Sequence, residues 1–119
     1  MTLNEYQHRA MSTCMDTCNN LTYMLTGLTA EVGEVNDKIA KAVRKAQIKI
    51  TRNNLCVWDD RTPANFKEKL AKEIGDVLWF VSGLAKLLGY SLQEIAEMNI
   101  VKLASRQQRG VIDGNGDNR

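Results

Sequence analysis

Apolar residues recur at the three-and-four spacing of an α-helix in four stretches of the chain, separated by segments where that period is lost. The first stretch carries Tyr6, Ala10, Met11, Cys14 and Cys18, and Thr2 with Glu5 has capping-box spacing, which predicts a helix over residues 3–18. Asn19-Asn20 breaks it. Leu21, Leu25, Leu28, Val32, Val35, Ile39 and Val43 then sustain the period as one long amphipathic helix. Residues 47–62, QIKITRNNLCVWDDRT, lose the period and gather Asn, Asp and β-branched residues, so they read as a loop whose Leu55, Val57 and Trp58 dock on the body. Thr62-Pro63 supplies an N-cap and a proline at the first position of a third helix. Its stripe is Phe66, Leu70, Ile74, Val77, Val81, Leu84 and Leu88, and Gly89 is its predicted stop. Ser91 with Glu94 opens a fourth helix with Leu92, Ile95, Met98, Ile100 and Leu103, running to about Arg109. The pattern predicts an all-α, four-helix antiparallel bundle-like subunit over residues 1–110, followed by a glycine-rich tail, 111–119.

Composition narrows this in two ways. With 119 residues, 44% hydrophobic and 25% charged, one domain with a small core is expected, and a helical chain of this size often completes its core by oligomerising. A net charge of +2, from 16 basic and 14 acidic residues, provides no field for nucleic acid or anionic membranes. The N-terminus, MTLNEYQHRAMST, has neither the basic start nor the apolar run of a secretory signal, which points to a cytoplasmic protein. Cys14, Cys18 and Cys56 cannot pair completely, and Cys14-x3-Cys18 would place two thiols on one helix face. Zinc would need His8 and Cys56 as further ligands; reduced, half-buried thiols are the better reading.

The chemistry lies in two acidic pairs of the same spacing, Glu31-x-x-Glu34 in AEVGEVNDK and Glu73-x-x-Asp76 in KEIGDVLWF. Residues at i and i+3 stand about 60° apart around a helix, so each pair points both carboxylates one way. Glu73 projects into the arc of Phe66, Phe80, Leu84 and Leu87, with Asp76 at its edge beside Phe80. Glu31 borders the stripe of Leu28 and Val35, and Glu34 lies further out. A solvated surface with a Glu34–Lys38 pair accounts for Glu34 alone. It does not account for Glu73, because a carboxylate on a packed face is costly unless paired, protonated or bound to metal. Four converging carboxylates suit a hard divalent ion such as magnesium, which keeps waters and joins protein carboxylates to phosphates. A di-iron site would need Glu-x-x-His pairs, and His8 lies in another helix. Lys38, Lys41, Arg44 and Lys45 follow the first pair, and Lys102, Arg106 and Arg109 recur on the fourth helix, as cations for a polyphosphate or as a solvated face.

These motifs in this order, with GLTAEVGEVNDKIAK, then LAKEIGDVLWFVSGLAKLLGYSLQEIAEMNIVKLASRQQRG, then DGNGDNR, resemble the MazG-like all-α nucleoside triphosphate pyrophosphatases. The resemblance runs from about residue 21 onward and is weakest over 46–63. It implies magnesium-dependent hydrolysis of a nucleoside triphosphate to its monophosphate and pyrophosphate, in a helical homo-oligomer that is a dimer or a tetramer built from dimers. Carried over by motif, Glu31, Glu34, Glu73 and Asp76 are the magnesium ligands, Asn99 and Lys102 contact the nucleotide or its phosphates, and Lys41 is a phosphate neighbour. The general base would be a carboxylate not fully committed to metal, Glu34 or else Glu31. Tyr6, His8, Trp58 and Phe80 are candidates to meet the base, whereas Trp79, opposite the apolar centre of its helix, is expected in a subunit contact. Alternatives are a dUTP or phosphoribosyl-ATP pyrophosphohydrolase, a nucleotide-binding relative without catalysis, and a helical interaction module. Asp117 or Arg119 of the tail would order over the nucleotide or a neighbouring subunit.

Overall fold

A computed structural model describes residues 1–52 and 60–118, together with the backbone of 55–57. Four α-helices dominate: α1 (Leu3–Met11), α2 (Leu21–Arg44), α3 (Phe66–Leu87) and α4 (Leu92–Gln108). The predicted all-α class stands. Both predicted capping boxes form, Thr2 with Glu5 on α1 and Ser91 with Glu94 on α4. Trp58, Arg119 and the side chains of Leu55, Cys56 and Val57, to which roles were given above, lie outside the described residues.

Three boundaries differ from the sequence reading. The first helix stops at Met11 instead of residue 18, because Ser12 and Thr13 turn their hydroxyls back onto the carbonyls of Arg9 and Ala10. Cys14 then lies in the turn and Cys18 in a short 3₁₀ segment, Asp16–Cys18, so the two thiols do not share a helix face. The expected loop instead contains a small antiparallel hairpin, β1 (Ile48–Ile50) with β2 (Leu55–Val57), in which Ile48 faces Val57 and Ile50 faces Leu55. Ile48 is buried with Ala42 and Phe66, and that contact outweighs the polar composition around it. The third helix starts at Phe66 with Asn65 before it, not at Thr62-Pro63. The Thr62 hydroxyl is buried and donates to the carbonyl of Gln47, tying the end of the connection back to the end of α2.

The interface between α2 and α3 sets everything near the acidic pairs. Two glycines let the helices approach: the Phe80 ring lies over Gly27, and the Met24 side chain lies over Gly83. A Cβ built on Gly27 would stand 2.0 Å from Phe80 Cε1, and one on Gly83 would stand 2.3 Å from Met24 Sδ. Each helix thus inserts one large side chain into a gap on the other, which fixes an antiparallel register. Met24 and Ser82 are fully buried at this seam. α1 packs across α3 and α4. Its Gln7 donates to the carbonyls of Ser82 and Tyr90 and accepts from the Leu92 amide, holding the start of α4 in place.

The subunit is open. Its radius of gyration is 17.6 Å, against about 13–14 Å for a compact chain of this length. Apolar side chains remain exposed on α3 (Ile74) and α4 (Met98, Ile100, Val101), although Ile74 belongs to the stripe predicted to face the core. Among the described residues no helix is long and apolar enough to cross a membrane.

Candidate active site

Continuing along the antiparallel seam from Gly27 and Phe80, one helical turn on α2 reaches Glu31 and one turn back on α3 reaches Asp76. One oxygen each from Glu31, Glu73 and Asp76 lie within 4.8 Å of one another. Glu31 and Glu73 are half-buried and Asp76 is exposed. Partial burial, then the charges of Asp76, Glu73 and Glu34, raise the Glu31 carboxyl above its ordinary value. Close carboxylates that repel one another, with one pushed toward its protonated form, are the state a divalent cation relieves.

Glu34 is not brought into this group. It is exposed one turn along α2, close enough for its charge to act on Glu31. The Glu34–Lys38 pair of the surface reading is replaced by a contact between helices, with Lys38 Nζ 2.8 Å from Glu73 Oε1. That bond holds the Lys38 ammonium above its usual value against the opposing effect of burial. Lys41 turns the other way, 2.5 Å from Asp37 Oδ2. Among the described residues Lys38 is therefore the cation paired with the acidic group, and helix periodicity alone does not separate it from its neighbours.

Beside the carboxylates is a pocket of about 310 Å³ lined by Tyr23, Glu31, Asp76, Trp79 and Phe80. Phe80 meets Trp79 edge-on with ring centroids 4.9 Å apart and lies 5.7 Å from Tyr23. Trp79 is thus half-buried within the subunit. Its indole N–H donates to the Ala10 carbonyl at 3.0 Å and to the Thr13 hydroxyl at 2.9 Å, at the C-terminal end of α1. An indole donor on a packed face needs an acceptor, and the end of α1 offers two, so Trp79 is anchored within the subunit. Tyr6 stands near Asp76, and burial, then that charge, raises its phenol. Tyr23 is the aromatic the sequence reading missed; it sits one helical turn before Gly27 and reads there as one more position on an amphipathic helix.

A larger cleft, about 530 Å³, is lined by residues that include Gln7, His8, Lys86 and Tyr90. Among the described residues its wall holds no carboxylate, so chemistry and not size selects the smaller pocket. His8 belongs to that cleft. Asn99 and Lys102 line a third pocket, of about 260 Å³, together with Ile95 and Met98 of the same helix. Within one subunit they are not gathered with the carboxylates.

Residues 19–111 match the model of the MazG nucleotide pyrophosphohydrolase domain. The chain belongs to that family. The Gene 37 protein of Mycobacterium phage L5 is 38% identical over 104 residues, which cover 87% of this chain and 81% of that protein. No solved structure matches the chain. The MazG match spans α2, α3 and α4 and leaves out α1, so Tyr6 and the carbonyl that anchors Trp79 come from outside the matched segment.

Proposed function

We propose that this MazG-family chain hydrolyses a nucleoside triphosphate, NTP or dNTP, to nucleoside monophosphate and pyrophosphate with magnesium as cofactor. The observation that carries this is the register of α2 on α3, which groups the oxygens of Glu31, Glu73 and Asp76 beside an aromatic-lined pocket. The donor set fits the ion: three carboxylates with one lysine leave a strongly negative, all-oxygen group. Glu31, Glu73 and Asp76 would hold magnesium, which when bound neutralises phosphate charge and activates water.

The remaining work falls to the chain's own side chains. Glu34, exposed one turn along α2 from Glu31, takes the proton from the attacking water. Lys38, already among the carboxylates, is the nearest cation to move from Glu73 to a phosphate oxygen, ahead of Lys41. Tyr23 and Trp79, which line the pocket with the buried Phe80, offer faces to a planar base. Asn99 and Lys102 line a pocket on α4 away from the carboxylates, so their part in the site would come from a second copy of the chain. The open shape and the exposed apolar residues of α3 and α4 support a homo-oligomer, a dimer or a tetramer built from dimers.

The test is a panel of NTPs and dNTPs with magnesium, assayed for monophosphate and pyrophosphate. Glu73→Gln/Asp76→Asn is expected to lower turnover about 100-fold or more, since even partners behind metal ligands cost 10–100-fold. Turnover equal to the parent's sinks the assignment. Light scattering at micromolar concentration should give a multiple of the 13.4 kDa chain mass.

A further inference from the structure

Lys102 and Arg106 stand one turn apart on α4, and the tail engages both. The chain turns at Gly110 and Gly116, with φ +65° and +79°, a left-handed conformation that glycine adopts without strain. Asp117 is thereby returned to the helix. Its Oδ1 accepts from Lys102 Nζ at 3.2 Å and from Arg106 Nη2 at 3.1 Å. The same Nη2 donates to the carbonyls of Gly116 and Asp117 at 3.3 and 3.2 Å.

Arg106 is 5% exposed, and its Nε is buried with no hydrogen-bond partner. A buried guanidinium with an unfilled donor is a costly arrangement, and the tail engages it through Nη2 while Nε stays unfilled. Phosphate oxygens bear charge of the same sign as that carboxylate and come in larger number.

We propose that residues 110–118 form an autoinhibitory latch, in which Asp117 occupies the Lys102–Arg106 cation pair in the place of phosphate until a diphosphate or triphosphate group displaces it. The proposal rests on the reading of Lys102 as a phosphate contact and adds Arg106 to it. Asp117 suits an exchangeable plug: its side chain is 83% exposed, so releasing it uncovers little. The two cations also hold its carboxyl below the usual range, which keeps it charged at neutral pH. Ion pairs to an exposed carboxylate are individually weak, so a ligand with several negative charges outcompetes it.

Calorimetric titration of inorganic pyrophosphate, with magnesium, into the full chain and into Asp117→Asn, Lys102→Ala and the double variant tests this. Asp117→Asn should bind pyrophosphate about fivefold more tightly, the size of an exposed ion pair removed from competition. Lys102→Ala should bind it more weakly, and the gain from Asp117→Asn should shrink in that background, where Arg106 alone still holds Asp117. Pyrophosphate should also speed amide exchange over residues 111–117 as the tail is released. Unchanged or weaker binding to Asp117→Asn, a gain undiminished without Lys102, or slowed exchange in the tail overturns the latch while Lys102 keeps its assignment. Parent-like binding by Lys102→Ala overturns that assignment, and the latch with it.

Discussion

Helices α2 and α3 carry the same acid-x-x-acid spacing, yet the fold uses the two pairs differently. On α3 both members, Glu73 and Asp76, enter the carboxylate group; on α2 Glu31 enters and Glu34 stays exposed. The difference comes from the seam. With Phe80 over Gly27 and Met24 over Gly83, Glu31 is set opposite Asp76, while at Glu73 the seam presents Lys38 as well. Spacing of three residues puts two side chains on one side of a helix; the neighbouring helix decides which of them meets a partner.

The two helices also end alike but not identically. Each closes with the paired hydrogen bonds of a Schellman turn: Gln47 N–H to Ala42 and Ala46 N–H to Val43 on α2, Tyr90 N–H to Ala85 and Gly89 N–H to Lys86 on α3. The left-handed residue is Gly89 on α3, at φ +80°, but Ala46 on α2, at φ +53°. A Cβ in that conformation is strained.

The largest expected effect divides Glu31 from Glu34. Glu34→Gln should lower turnover about 100-fold, as loss of a general base does, yet keep the rise in melting temperature that magnesium produces. Glu31→Gln should abolish that rise together with activity. Equal loss of the thermal shift in both variants would erase the distinction between inner and outer acids. Next comes the seam. Gly27→Ala drives a Cβ into a ring held between Tyr23 and Trp79, so it should cost about 1–3 kcal/mol in denaturant unfolding and weaken magnesium binding, though no ligand is touched.

A smaller effect follows from the raised Glu31 carboxyl. A carboxyl whose folded pKa exceeds its unfolded value makes the folded chain bind more protons, so its contribution is favourable below the unfolded value and lost as pH rises through the folded one. Without metal, the parent should therefore lose stability across that window relative to Glu31→Gln. Magnesium should stabilise the parent more at neutral pH than in mild acid, read as melting temperature against pH. The smallest change concerns the helix ends. Ala46→Gly should stabilise by about 1 kcal/mol and Gly89→Ala should destabilise by a similar amount, measured by urea unfolding.

Much of this was legible in the residues. Periodicity located α2 and α4 almost to the residue, and capping boxes marked the starts of α1 and α4. Helical projection already separated Glu31, at the border of the stripe, from Glu34 further out. What misled was chemistry with two uses. Thr62-Pro63 has the composition of a helix start, but the Thr62 hydroxyl is taken by Gln47. Cys14 and Cys18 continue the period of α1 past the point where Ser12 and Thr13 end it. The hairpin escaped notice because three residues, Ile48 to Ile50, are too few to establish an alternating period.

By itself the sequence determined the helices, because apolar period and capping act within a few residues of the chain. It also determined which residue types were available for metal and phosphate chemistry. Only the tertiary structure decided their company: that Lys38 serves Glu73, that Trp79 anchors on α1 beside the pocket, and that Asp117 returns to Lys102 and Arg106. Such pairings join residues far apart in the chain, and they follow from how two glycines let α2 and α3 close and from where the chain turns at Gly110 and Gly116.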